Sequence, residues 1–261
     1  MKTPTKKKNA QPNQSLIDGI TTLQALATSD RPVGGRELSR RLGFEPTRVN
    51  RLLKTLAYLG IARQTSDRKY TSGSGMHVLA AQGLFASGLV RRAVPALEEL
   101  RSYNLVVAMG VLWKDVVSYI YHAPPGIASS EALGRVGIFP ATRGGIGLSL
   151  LADLDDAEVS QIYNGKDIPN FPNGVNQLLE ELNKIRSNGY TRYLVKPDQN
   201  QHTLAINVGQ PTHSAIALSG WIPEENNAQL LSALEKAKTS INDKTSSAQL
   251  KFDIIKDREA I

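Results

Sequence analysis

Apolar residues recur through the first quarter of the chain at helical spacing, with turn formers between the runs. Leu16, Ile17, Ile20, Leu23, Leu26 and Ala27 follow one another at one, three and four places, which predicts one face of an amphipathic helix. Ser15, with Asp18 three places on, reads as its N-cap, and Ser29-Asp30-Arg31-Pro32 ends it because proline cannot continue a helix. A shorter helix is predicted over 36–42, with Leu38 and Leu42 turned inward and Gly43 as its stop. Pro46 opens a third helix, where its missing N–H is no loss. Val49, Leu52, Leu53, Leu56 and Leu59 form the inner stripe of that helix, and Gly60 ends it. Two short β-rich runs at 61–65 and 69–71 then flank Ser66-Asp67-Arg68, a hairpin with a basic tip.

The pattern changes after residue 75. Residues 76–87 read as a connecting helix and 91–103 as another, in which Pro95 fits only the first turn or a kink. Strands are predicted at 105–112, 116–122, 133–139, 190–195, 202–208 and 214–219. Helices are predicted at 146–152, 155–163, 174–188 and 223–241. The whole reads as α+β: an N-terminal winged helix-turn-helix, joined by a linker helix to an α/β domain with a mainly antiparallel sheet. The expected divisions are a flexible basic tail (1–13), the winged helix-turn-helix (14–75), the linker helix (76–89) and the larger domain (90–255).

Charge sharpens this picture once it is divided. The chain carries +7 overall, but residues 1–75 hold 14 Lys/Arg against 5 Asp/Glu, while residues 76–261 hold 17 against 19. The positive excess therefore sits entirely beside the three helices, as expected of a polyanion binder tethered to a near-neutral body. On the outer side of the third helix stand Thr47, Arg48, Asn50 and Arg51, residue types that reach base edges, with Arg36, Lys54, Arg68 and Lys69 placed for phosphates. A basic helix that is merely solvated, in a winged helix that binds protein, is the competing reading. The hairpin and the charge balance favour double-stranded DNA.

Composition removes other classes. With no cysteine there is no disulfide, thiolate metal site or cysteine nucleophile, and the four histidines lie at no metal-ligand spacing, so neither a metal nor a cofactor is expected. No apolar run is long enough for a membrane helix, and the lysine-rich first residues have no signal-peptide core, so a cytoplasmic protein with no membrane partner is expected. Ser129-Ser130 has no histidine and carboxylate that can be placed with it, which counts against an enzyme carrying an accessory DNA-binding module.

The run from Val33 to Leu56, with Leu38-Ser39-Arg40-Arg41-Leu42-Gly43 and then Thr47-Arg48-Val49-Asn50-Arg51-Leu52-Leu53, resembles the winged helix-turn-helix of the IclR family of bacterial transcription regulators. The likeness covers 15–72 and extends over 90–222. It implies a homodimer or homotetramer that binds an operator and whose C-terminal domain binds a small-molecule effector.

The segment Pro140-Ala141-Thr142-Arg143-Gly144-Gly145-Ile146-Gly147 carries the chemistry of the second half. Its glycines allow a ligand close to the backbone, or simply make a tight turn before a helix. Arg143 could pair with a carboxylate or stand in solvent. The resemblance places effector contacts at Gly145 and Ile146, at Tyr193 where an acidic residue is common in the family, and at Thr203, Ala205 and Ser219 on the strands that follow.

Overall fold

The computed structural model describes residues 11–134 and 137–243, and by its internal contacts the chain divides after Ala86 into two units. The first ten residues of the expected tail and the stretch 244–255 of the expected larger domain lie outside the described residues.

In the first unit, α1 (Gln14–Ala27), α2 (Gly35–Leu42) and α3 (Pro46–Tyr58) are followed by the antiparallel hairpin β1 (Ala62–Gln64) and β2 (Tyr70–Ser72), then α4 (Ser74–Ser87). Val33 adds a bridge to Tyr70, exchanging backbone hydrogen bonds of 2.8 and 2.9 Å. Leu23, Leu26, Val33, Leu38, Val49, Leu53, Leu56, Ala62 and Tyr70 close the core. The turn between α2 and α3 is set by Gly43 in the left-handed region (φ 67°) and by Ser39, whose hydroxyl donates to the Phe44 carbonyl at 2.6 Å.

The first helix departs from its predicted phase. Asn13, not Ser15, is the N-cap, its side chain accepting from the Leu16 N–H at 3.2 Å. Leu16, Ile17 and Ile20 face outward, as does Ala27, and the buried positions are Asp18, Thr22, Leu23 and Leu26. Two stripes compete on this helix, and the one carrying a carboxylate is inside because a cation from α3 meets it. Leu59 is likewise exposed, beyond the last turn of α3. The connecting helix begins two residues earlier than expected and ends at Gly88, which takes φ 60°.

The second unit begins with α5 (Leu89–Leu100), with Pro95 in its interior rather than its first turn. A six-stranded antiparallel sheet follows, made from β3 (Val106–Trp113), β4 (Val116–Ala123), β5 (Ile138–Pro140), β6 (Thr191–Lys196), β7 (Gln201–Gly209) and β8 (Thr212–Trp221) in the order β5-β4-β3-β8-β7-β6. Between its two halves the chain forms α6 (Gly145–Leu151), α7 (Asp156–Tyr163) and α8 (Val175–Asn188), and α9 (Asn227–Asn242) comes last.

Alternation along the strands sends side chains to two cores. Val107, Met109, Leu204, Ile206, Ile216 and Leu218 meet Ala93, Leu97, Leu100, Leu230 and Leu234 of α5 and α9. Ala108, Val117, Ala205, Ala215 and Ala217 meet Ile146, Leu150, Leu178 and Leu182 of the other helices. Burial of the α5 face on the sheet and α9, worth about 1.5–3 kcal/mol per large side chain, holds Pro95 in a helix that its missing N–H weakens. A register shift between Met109 and Gly110 leaves Ile120 as the extra residue of β4. It lets Tyr119 and His122 share one face while Tyr121 points to the other.

Candidate nucleic-acid interface and ligand cavity

On α3 the helical period buries Val49, Leu53 and Leu56 and leaves Thr47, Arg48, Asn50, Arg51 and Lys54 exposed. Asn50 rests against the start of α2, where a Cβ on Gly35 would stand 2.5 Å from its Oδ1. In the hairpin the tip is fixed by Thr65, whose N–H and hydroxyl both donate to the Lys69 carbonyl (2.8 and 3.0 Å), and by Arg68 at φ 61°. Lys69 pairs with Asp67 at 2.8 Å, and together with the Thr65 hydroxyl it holds the Asp67 carboxyl down at about 2.

Ion pairs decide which cations of this unit are available. Glu37 takes a two-pronged pair from Arg31 (2.8 and 3.3 Å) and a second pair from Arg41, with Arg31 the leading cause of its lowered pKa. Arg48 pairs with the buried Asp18 and lies over the Phe44 ring, 5.6 Å from its centroid. Among the described residues of the unit, Arg36, Arg40, Arg51, Lys54, Arg63 and Arg68 are exposed and make no ion pair.

The second unit holds a cavity of about 830 Å³ on the face of the sheet that carries α6. Its floor is built from small side chains, Ala108 and Ala217, between Val106, Thr203 and Ser219. Thr203 and Ser219 are register partners on β7 and β8, with hydroxyls 2.6 Å apart. The end of α6 closes one side. A Cβ on Gly145 would stand 2.7 Å from the Thr203 Cγ2, so only glycine lets the helix start this close to the sheet.

Tyr119, His122 and Phe139 form an edge-to-face group with centroids 5.8 and 5.7 Å from the tyrosine ring, and burial raises the Tyr119 pKa. Among the described residues of the wall, Arg143 is the only Lys or Arg, and no Asp or Glu joins it. Amides from Asn104, Gln201, Asn226 and Gln229 complete the polar wall. A basic helix face and a cavity with one arginine and several amides suit nucleic acid and a small polar ligand. No group of three His, Asp or Glu that could hold a metal occurs among the described residues.

Comparison with known proteins gives this arrangement its place. Residues 18–66 match the IclR helix-turn-helix domain, and residues 82–213 match the family described as the bacterial transcriptional regulator IclR C-terminal domain. The chain belongs to the IclR family. It is a DNA-binding transcriptional regulator with a C-terminal effector domain, and the families and relatives it matches are regulators rather than enzymes.

The HTH-type transcriptional regulator KdgR of Escherichia coli (strain K12) is 29% identical over 201 residues, covering 74% of this chain and 76% of that protein. The crystal structure of an IclR-family regulator from Brucella abortus superposes with a TM-score of 0.72 at 20% identity, covering 95% and 96% of the two chains. An IclR homologue from Microbacterium hydrocarbonoxydans, crystallised with 4-hydroxybenzoate, gives 0.62 at 18% identity over 87% and 97%.

Within this IclR-family chain the expected contact residues separate into groups. Thr47, Asn50, Arg51 and Lys54 stand together on α3, Arg36 opens the exposed side of α2, and Arg68 and Lys69 are at the hairpin tip. Arg40 on α2 and Arg63 on β1 belong with the unpaired cations.

Gly145, Ile146, Thr203 and Ser219 all line the cavity. Ala205 does not; it lies beneath Gly145, 3.7 Å from where a Cβ would be. Nor does Tyr193, the register partner of Thr203, because its hydroxyl accepts from the Asn170 amide at 2.6 Å and its ring packs toward α6 and α8. Gln201 was missed, and Trp221 also lines the cavity. Each lies two places along its strand from Thr203 or Ser219, and the strand period puts them on the same face.

Proposed function

We propose that this regulator binds a two-fold symmetric operator as a homodimer or homotetramer in the cytoplasm, and that a small carboxylate in the cavity alters that binding. The observation that carries the DNA reading is the exposed face of α3, backed by Val49, Leu53 and Leu56 and free of acidic side chains. Thr47, Asn50 and Arg51 read base edges; Arg36, Lys54 and Arg68 hold phosphates and set the register. Self-association is supported by apolar residues left in solvent, Leu16, Ile17 and Ile20 on α1 and Val78 and Leu79 on α4.

The ligand class follows from the wall. Arg143 offers a two-pronged donor to a carboxylate, Tyr119 and Trp221 offer ring faces, and the Thr203–Ser219 pair offers hydroxyls. A fold relative holding 4-hydroxybenzoate makes that aromatic acid the first probe.

Selection of genomic fragments by the purified protein, at about physiological ionic strength so that non-specific phosphate binding is screened, tests the DNA reading. A few sites with inverted half-sites are expected. Fragments with no shared sequence would reduce α3 to an electrostatic anchor.

A further inference from the structure

Asp18 is the one acidic side chain buried among the described residues of the first unit, with 2% of it exposed. One of its oxygens accepts from the Gln14 amide at 2.8 Å and the other faces the Arg48 guanidinium. Arg48 reaches it from the first turn of α3, while its outer surface, 44% exposed, lies beside the Phe44 ring. The pair marks the crossing of α1 and α3. One residue on from Asp18, a Cβ on Gly19 would stand 3.8 Å from Leu52, which is one helical turn beyond Arg48. Arg48 is thus held from two sides, by α1 and by the turn that precedes α3.

A carboxylate this deep is costly unless a cation stays with it, so moving Arg48 to a DNA phosphate would leave Asp18 with Gln14 alone. Arg51 and Lys54, on the same helix, have no such tie. We propose that Asp18 holds the Arg48 guanidinium away from DNA, so that Arg48 is the positioning residue that fixes the recognition helix against α1. The inference rests on the DNA-binding reading given above. It assigns one cation of the basic face to the fold and leaves base reading to Thr47, Asn50 and Arg51.

Salt dependence counts the cations that reach phosphates, because each one contributes about 0.9 to the slope of log K against log salt. The probe is a random-sequence duplex of about 30 base pairs with the full chain, so no operator has to be known. Asp18→Asn keeps the shape and the Gln14 contact but releases Arg48, and is expected to tighten binding several-fold and steepen the slope by about 0.9. The double variant Asp18→Asn/Arg48→Gln replaces the ion pair by two amides that can bond each other, and is expected to keep the native slope.

A native Arg48 on a phosphate predicts the reverse, a double variant shallower by about 0.9 and an Asp18→Asn slope unchanged. Either result overturns the proposal. The double variant decides the matter even where Asp18→Asn alone unfolds, and a purely structural pair would move the melting temperature without steepening any slope. Arg36→Gln and Lys54→Gln, at two cations assigned to phosphates, serve as controls. If they also leave the slope unchanged, the DNA-binding reading has failed, rather than the assignment of Arg48.

Discussion

Gly145 and Thr203 are in such close apposition that a Cβ on the glycine would stand 2.7 Å from the threonine methyl. The start of α6 and the middle of β7 therefore share one volume, and that contact forms a corner of the ligand cavity. Gly145→Ala is expected to destabilise the protein by about 1–3 kcal/mol through overpacking. Thr203→Ser removes the methyl and should restore most of the loss in the double variant, measured by denaturant unfolding. Additive losses would show that the strain lies elsewhere.

In the proposed function Arg143 makes its contribution through the ligand. Its side chain is exposed and makes no hydrogen bond or ion pair among the described residues, so Arg143→Gln should leave the melting temperature unchanged. Calorimetry with 4-hydroxybenzoate is expected to show affinity reduced by about 1.5–3 kcal/mol, the worth of charge-assisted hydrogen bonds. The uncharged 4-hydroxybenzamide should bind native protein and variant alike.

Arg51 and Lys54 are separable on an isolated operator. Arg51→Ala is expected to cost about 1–3 kcal/mol and to relax selectivity at one base pair. Lys54→Ala should weaken binding to all sequences to the same degree. Competition titrations with point-substituted operators read both effects.

The loop after β4 is tied to α5 by a cluster whose strength depends on pH. Glu98 accepts from the Tyr121 hydroxyl at 2.6 Å, from Ser129 at 2.7 Å and from Arg101 at 2.7 Å, and Arg101 also donates to the Ile127 carbonyl. Burial pushes the Glu98 carboxyl up, but the hydrogen bonds from Tyr121, Ser129 and Arg101 outweigh it and leave the pKa below its ordinary value. A lowered pKa in the folded state stabilises above the unfolded value of about 4.3, and that stability is lost as pH falls through the folded value. Glu98→Gln should therefore lower stability at neutral pH and flatten its decline below about pH 4, read from melting temperatures across that range.

The elements that could be read from the chain alone were those whose signals are local. For α3, Pro46 at the first turn, the Val49–Leu53–Leu56 spacing and the following glycine all agree. For α1 the spacing was real but ambiguous. Leu16, Ile17 and Ile20 make as good a stripe as the true one, and the inward turn of Asp18 depends on an arginine thirty residues away in sequence. At the cavity the glycine-rich run around Gly145 was legible locally, whereas Thr203 came only from the resemblance to the family. Tyr193 was misplaced relative to its wall because register puts it beside Thr203, while Asn170, from a loop with no periodicity, takes its hydroxyl.

The order β5-β4-β3-β8-β7-β6 makes the sheet two three-stranded leaves sewn along a single seam, the pairing of Val106–Gly110 with Ala215–Ser219. The cavity lies over that seam, with Tyr119 from the first leaf, Arg143 from the turn that follows β5, and Thr203 and Trp221 from the second leaf. An occupant is therefore a rivet through both leaves. Any peeling of one from the other has to break its contacts first, so the filled protein should resist unzipping at the seam in proportion to how tightly the ligand is held.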